Sequence, residues 1–408
     1  MADLYYSNQN LADTYHVHVS TVYNWIEDAK QGKLNLELIE RNGRSYVRKS
    51  TSNIATIEQL AKERKKFRPR RAVKEVRPRP EFYETYNEGQ IYDMLTNLET
   101  YGEVDFEYSY FDGGAENWDS YAQRLAAEDT SNSLTGTVEL LDMSASYLDK
   151  IIESYDRVNI VDIGVGNALP VRGLLQHLTD QKKLGRYIAL DISRKMLDIA
   201  ERNIKDWFEG TVDFEGYELD INRERFGHLL AEDYLRGERV ANVVLFLGGT
   251  PNNFRDPDSS FRVIHDSLRK NDLLIRTSKL DTRAARNFFD FNTDEKSGGA
   301  LDTLDRFLFD LLNIDESLFE VERGFDPELR QRYRRIRLTS AVKMIFDFEI
   351  GQQVLEFDKG DRILLWRAWH MAPKDILGQL ERNGFYALHT SQTTDEQYML
   401  ALSRLDRE

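Results

Sequence analysis

The stretch Val158 to Arg172, VNIVDIGVGNALPVR, restricts this chain to a small set of folds. An apolar run ends in Asp162, and a glycine-rich turn follows at Gly164-Val165-Gly166-Asn167-Ala168. A helical pattern, LPVRGLLQHL, comes next. A strand that enters a helix through such a turn brings backbone close to a nucleotide-like ligand at the helix N-terminus.

The alternation repeats downstream. Tyr187-Ile188-Ala189-Leu190 ends in Asp191, and Met196 to Trp207 has helical spacing. A short run from Val212 ends in Asp220-Ile221, and Ala241 to Leu247 ends in Gly248-Gly249-Thr250. A helix around Ser259–Arg269 and a strand over Asp272–Thr277 complete the series. Strands that alternate with helices and end in Asp or Gly predict an α/β fold with a doubly wound parallel sheet, whose ligands sit at the carboxyl ends of the strands. The alternation then breaks. Residues 281–336 read as helical and heavily charged, Leu338–Glu349 and Gln353–Phe357 as strands, and Asp375–Arg382 as a helix before two closing strands. The expected division is a core over 96–280, an inserted substrate domain over 281–370, and a completion of the core over 371–408.

Composition narrows the function. At 408 residues the chain has room for two or three domains, and 41% hydrophobic residues suffice for a core. It has no cysteine, and of its seven histidines only His16 and His18 are close, so no metal site is expected. A net charge of −15 argues against a nucleic-acid coat. No run has the length of a membrane span and no secretory leader pattern opens the given sequence, so a cytoplasmic protein without a membrane partner is expected.

Residues 1–66 read as a separate small module. Ser7 is placed to cap one helix and Ser20 the next, where Val22, Trp25 and Ile26 share a face. LELIERNGRSYVRKS alternates around Asn42-Gly43, a hairpin signal, and a third helix follows. This order resembles a winged helix-turn-helix DNA-binding module. The resemblance implies DNA contact through Ser20, Thr21, Tyr23 and Asn24 of the second helix, with Arg44 in the wing. Residues 62–79 hold ten Lys/Arg against two Glu, and with Pro69 and Pro78 they read as part of a basic, extended linker over 67–95. Possible DNA contact is therefore assigned to residues 1–79.

The next segment is rich in aromatics, and Tyr108 to Ala115 (YSYFDGGA) suggests a loop that folds over a ligand. The turn by itself serves nicotinamide and S-adenosylmethionine proteins alike. The nicotinamide fingerprint calls for a third glycine where Leu169 stands. Asp191, at the end of the second strand, can accept hydrogen bonds from both ribose hydroxyls of either cofactor. Asp220, with Ile221, ends the third strand, where an acid can meet an adenine amino group. With Asp162 before the turn, these placements favour S-adenosylmethionine.

The segment Phe246-Leu247-Gly248-Gly249-Thr250-Pro251-Asn252-Asn253-Phe254, with the glycine turn upstream, resembles the histidine Nα-methyltransferases of ergothioneine biosynthesis. The resemblance spans roughly 80–408. It implies a Rossmann-like class I methyltransferase core, with a substrate domain built from N-terminal residues and the late insertion. It further implies S-adenosylmethionine contacts at Gly164, Gly166, Asp191 and Asp220, an aromatic near the cofactor at Tyr110 or Phe111, and Gly248 and Asn253 at the backbone end of an amino-acid substrate. The chain departs from the family elsewhere. A family lysine aligns with Pro170. A family Tyr-x-Thr-Arg element aligns with Ser133-Leu134-Thr135-Gly136, and a substrate tyrosine with Phe288 or Phe289. The imidazole-recognising Glu-x-Ser pair aligns with Trp366 and Ala368. Trp366, Arg367, Trp369 and His370 are candidates for the wall of the pocket. No catalytic base is assigned. Without the family carboxylate, the resemblance implies methylation of an amine or amino-acid-like acceptor other than histidine. The alternative is a DNA-binding regulator that senses S-adenosylmethionine or another small molecule without turnover.

Overall fold

The computed structural model describes all residues except 1–4, 7, 16, 42–43, 67–72, 129, 232–238, 284–295, 298–299 and 407–408. In chain order the described strands begin with β1 (Leu38–Arg41), β2 (Arg44–Val47), β3 (Lys74–Val76), β4 (Arg157–Ile163), β5 (Leu184–Asp191) and β6 (Asp213–Glu218). Next are β7 (Val240–Phe246), β8 (Leu273–Lys279), β9 (Lys296–Ser297), β10 (Phe319–Asp326) and β11 (Gln331–Leu338). The last are β12 (Val342–Phe348), β13 (Gly351–Phe357), β14 (Arg362–Trp369), β15 (Phe385–Gln392) and β16 (Tyr398–Leu405). The chain divides into two compact units. One holds residues 1–108, 293–329 and 333–366; the other holds 109–292, 330–332 and 367–408.

The second unit is built on a seven-stranded sheet of order β15-β16-β8-β7-β4-β5-β6. The pairs β4–β5, β5–β6, β4–β7 and β7–β8 are parallel, and β16 is antiparallel to both β8 and β15. The chain moves from β4 outward to β6, then crosses back to β7, so the strand order reverses between β4 and β7. That reversal opens a crevice at the carboxyl ends of the strands. Its inner strands are buried on both faces, which explains runs without polar alternation. On one face Val158, Ile160, Tyr187, Ala189, Val243 and Leu245 pack with Leu140, Leu148, Leu175, Leu178, Leu197 and Ile204 of three helices. Those helices are Ser133–Ile152, Arg172–Asp180 and Arg194–Phe208. On the other face Val161, Ile163, Ile188, Leu190, Val244 and Phe246 pack with Phe261 and Ile264 of the helix Pro257–Ser267. Each fully buried aliphatic side chain there contributes about 1.5–3 kcal/mol of transfer free energy.

The first unit contains helices Asn8–Tyr15, Val19–Lys30 and Thr51–Lys66 around the β1–β2 hairpin, with Leu11, Val22, Trp25, Ile26, Val47 and Ile57 in one core. Two details here correct the sequence expectations. His18, not Ser20, caps the second helix, accepting the Ser20 N–H on its side chain. The helix therefore starts earlier, and its first turn carries Ser20 and Thr21 inward, leaving them 5% and 1% exposed. Neither can reach a base edge. Tyr23 is exposed, and Asn24 Oδ1 accepts from Arg362 Nη1 at 3.3 Å. The side chain of Arg44 lies outside the described residues.

The basic stretch at 67–95 is not a free tether over its described part. β3 lies parallel to β12 in the sheet β13-β12-β3, Arg77 pairs with Asp347 at 3.5 Å, and helices Pro80–Thr85 and Glu88–Tyr101 follow. Of the segment expected to be helical over 281–336, Thr303–Leu311 is a helix, but the segment also holds β10 and much of β11, in the sheet β14-β11-β10-β9. Its charges, which resemble a solvated helix, are matched across strands. Glu322 is fully buried and accepts from Nε of Arg335, Arg337 and Arg362 at 2.8, 2.8 and 2.9 Å.

Candidate active site

The turn between β4 and its helix is the first half of the site. Gly164 and Gly166 have φ of +66° and +55°, the left-handed region that glycine enters without steric cost. A Cβ on Gly164 would lie 2.9 Å from Thr250 Oγ1, whereas one on Gly166 would meet nothing within 4 Å. Gly164 is thus packed against the loop after β7, and Gly166 leaves its backbone open to a ligand. Ala168 follows at φ +62°, a conformation that costs a residue with Cβ about 1–2 kcal/mol. Asn167 fixes the turn. Its Oδ1 accepts from Leu169 N–H at 3.2 Å, its Nδ2 donates to Asp119 Oδ1 at 2.8 Å, and its carbonyl accepts from Asn203 Nδ2 at 3.0 Å.

Acids stand at the ends of successive strands. Asp191 closes β5, and its carboxylate accepts N–H groups from Ser193, at 3.0 Å, and from Gly166 and Ile192. Burial nevertheless pushes it up to about 6, because desolvation outweighs those bonds. Asp162 is buried on β4, and burial pushes it up to about 7, with the Asp191 charge adding and the Tyr187 hydroxyl opposing. Beyond β6, Asp220 Oδ1 accepts Asn222 N–H at 2.8 Å, and Arg223 Nε lies 3.3 Å from Oδ2. Ile221 is buried with Leu190 and Leu219. The ring of Tyr110 lies 4.9 Å from that of Trp118, and both pack on Ala115, Met196 and Ile199. Met196 and Ile199 belong to the helix that follows Asp191, so the aromatic loop with Tyr110 and Phe111 is brought to the acid end of β5.

The second half follows β7. Gly248 has φ +66° and donates its N–H to Thr277 Oγ1 at 2.7 Å, which ties the loop to β8. Asn252 Nδ2 donates to Gly248 O at 3.3 Å. Both donors of the Asn253 amide are satisfied when Nδ2 faces Arg367 O at 3.0 Å and Gly249 O at 3.2 Å; that orientation, assigned from hydrogen bonding, makes Oδ1 the acceptor turned the other way. Trp369 Nε1 donates to Phe254 O at 2.8 Å, so Trp369 supports this loop.

The remaining expected substrate residues are spread out. Ser133 opens a helix capped by Asn132. Trp366 lies in the first unit, its ring 6.5 Å from that of Phe106 with the Arg334 guanidinium 5.5 Å from its centroid. Ala368 is buried in the second unit. Phe289 lies outside the described residues. Two basic residues escaped the sequence reading: Lys279, which falls between two of the segments read, and Arg332, one of five arginines over 330–337.

A parallel sheet closed by an antiparallel pair, with a glycine turn at the reversal and acids on the next strand ends, defines a class I methyltransferase core. The residues present fit S-adenosylmethionine: Gly166 leaves an open cradle, and Asp191 lies bonded to its N–H. The chain belongs to the histidine-specific, S-adenosylmethionine-dependent methyltransferase family, whose model matches residues 137–405. Comparison with curated proteins gives no match. Among solved structures, the chain is similar to the CcbJ methyltransferase from Streptomyces caelestis, at 10% identity over 65% of this chain and 90% of that one, with a TM-score of 0.36. It is also similar to magnesium protoporphyrin IX methyltransferase from Synechocystis PCC 6803 with bound SAH, at 10% identity over 71% and 94%, TM-score 0.38. A DhpI-SAM-HEP complex matches at 13% identity over 74% and 98%, TM-score 0.37. Among the described residues no helix is long and apolar enough to cross a membrane.

Proposed function

We propose that this methyltransferase transfers a methyl group to the nitrogen of an amine or amino-acid-like acceptor other than histidine. The observation that carries the reading is the approach of the two loops: Thr250 Oγ1 lies 2.9 Å from where a Gly164 Cβ would stand, so the acceptor loop abuts the cofactor turn. In this reading Gly164, Gly166, Asp191, Asp220, Ile221 and the Tyr110–Phe111 loop hold S-adenosylmethionine. The cofactor supplies a methyl group activated on a sulfonium, so the protein's work is positioning. Asn253 Oδ1 accepts an N–H of the neutral amine and leaves its lone pair free to be aimed. Gly248, held by Thr277, fixes the distance between that amide and the turn.

Histidine is disfavoured because Trp366 and Ala368 stand where the family resemblance expects the glutamate and serine that bind imidazole. An imidazole that lacks those two partners loses binding. DNA contact by the N-terminal elements would fall to Tyr23, Asn24 and Arg44, with Ser20 and Thr21 buried. Calorimetry with S-adenosylmethionine on the parent chain and on Asp191→Ala tests the cofactor half. A saturable heat that Asp191→Ala weakens supports it, and equal affinities overturn the assignment.

A further inference from the structure

The second helix of the N-terminal module is covered on the side that a groove-reading helix leaves free. Val19, Val22, Trp25 and Ile26 turn into the core shared with Leu11, Val47 and Ile57. Ser20 and Asn24 stand two positions either side of Val22, and at about 100° per residue they form a stripe on the opposite side of the helix. In a module standing alone that stripe faces solvent, and in helix-turn-helix proteins the early residues of this helix are presented to the major groove. Here Ser20 is 5% exposed.

What covers the stripe belongs to the same unit. The helix Glu88–Tyr101 ends at Gly102, and the chain then runs beside β14: Leu364 donates its N–H to Gly102 O at 2.8 Å, and Val104 donates to Leu364 O at 3.0 Å. A Cβ on Gly102 would lie 4.0 Å from Cβ of Ser20, so the second helix comes down on this corner. Further along, Asn24 Oδ1 accepts from Arg362 Nη1 at 3.3 Å, and Lys30 Nζ lies 3.4 Å from Glu328 Oε2. At the helix start the rings of His18 and Phe357 meet edge to face, with centroids 5.4 Å apart. The helix is thus held at its start, middle and end.

We propose that this face is an intrachain docking surface: the second helix seats the N-terminal module on the Gly102 corner and on β14, and it does not read DNA. The inference is independent of the methyltransferase reading.

The chemistry of the seat supports it. An asparagine that reads an adenine uses both its carbonyl and its amide, and the carbonyl of Asn24 is engaged by Arg362. A lysine on such a helix meets phosphate, and Lys30 meets a carboxylate. Arg362 is not a loose surface group. Its Nε donates at 2.9 Å to the buried Glu322, which also holds Arg335 and Arg337, so the guanidinium that meets Asn24 is fixed from behind. Only residues 67–73 lie between the module's last helix and β3. Docking is therefore intramolecular, at an effective concentration on the order of millimolar, and DNA has to displace it.

The test uses the full chain. It has no cysteine, so Ser20→Cys and Tyr23→Cys each introduce a single reporter thiol, one on the docked stripe and one at a position that is 48% exposed. With a thiol-reactive dye, the proposal expects Ser20→Cys to be labelled more than about tenfold more slowly than Tyr23→Cys, because labelling awaits local opening. Adding Arg362→Met to Ser20→Cys speeds labelling about tenfold, the worth of the lost hydrogen bond. Adding Arg337→Met instead, which removes a different partner of Glu322, leaves the rate unchanged. Equal labelling of the two thiols overturns the proposal, and that comparison stands even where an arginine variant fails to fold. Equal acceleration by the two arginine variants also contradicts it, since protection would then come from the stability of the sheet. The DNA half is read by selecting from a pool of random duplexes on the full chain. No sequence that depends on the second helix is expected to enrich. An enriched sequence whose binding is lost in Tyr23→Ala or Asn24→Ala would give the helix to DNA and sink the proposal.

Discussion

Tyr187 donates its hydroxyl to Asp162 Oδ2 at 2.8 Å, with both side chains buried between adjacent parallel strands. The bond stabilises a carboxylate that burial disfavours, one strand away from the acid assigned to the ribose. Tyr187→Phe removes it and leaves a buried acid with one partner fewer. The expected cost is about 1–3 kcal/mol of folding stability, with Asp162 moved still higher. Urea denaturation and a carboxyl titration by NMR read both effects.

The same two acids give the unliganded protein an unusual pH dependence. Asp162 at about 7 and Asp191 at about 6 lie above the unfolded value of 3.8. Between about pH 4 and pH 7 the folded chain keeps protons that the unfolded chain has released. Stability contributed by these groups is therefore largest below pH 4, falls as pH rises through that window, and levels above it. The loss is on the order of several kcal/mol for the two acids together, at about 1.4 kcal/mol for each tenfold difference in proton affinity between the folded and unfolded chain. Denaturation midpoints measured across that range, with and without SAH, test it; a ligand that donates hydroxyls to Asp191 flattens the fall.

Cofactor affinity moves the opposite way. Asp191 accepts hydroxyl hydrogens best when ionised, so S-adenosylmethionine binding strengthens as pH rises towards about 6 and then levels. Asp191→Ala weakens binding about 10- to 100-fold, the worth of one or two charge-assisted bonds. Calorimetry at several pH values gives the profile.

At Gly136 the fold explains a departure from the family. A Cβ there would lie 2.6 Å from Cδ2 of Tyr398, whose ring fills the space. The family arginine of the Tyr-x-Thr-Arg element therefore has no room. Gly136→Ala is expected to cost about 1–3 kcal/mol through overpacking, and Gly136→Arg more. Thermal melts rank the two, and Tyr398→Ala in the same chain relieves part of the loss.

Much of this was legible before any coordinates. The runs ending in Asp162, Asp191 and Gly248 could be placed because strands buried on both faces read as unbroken apolar stretches with turn residues at their ends. The acids and glycines proposed for the cofactor half lie within those turns, where a local pattern can place them. β10 and β11 were hidden because their arginines are matched across strands by Glu322, a pairing that has no period in the sequence. Ser20 was misplaced as a cap because His18, two residues earlier, takes that role.

The central claim is methyl transfer to an amine that is not histidine. The direct measurement is incubation of the full chain with methyl-labelled S-adenosylmethionine and a panel of amines and amino acids, with histidine included. The account predicts label on the nitrogen of an amine or amino acid other than histidine, stoichiometric release of SAH, and little or no label on histidine. Histidine methylated as efficiently as any other member, or no small molecule labelled by a chain that binds the cofactor, would contradict it.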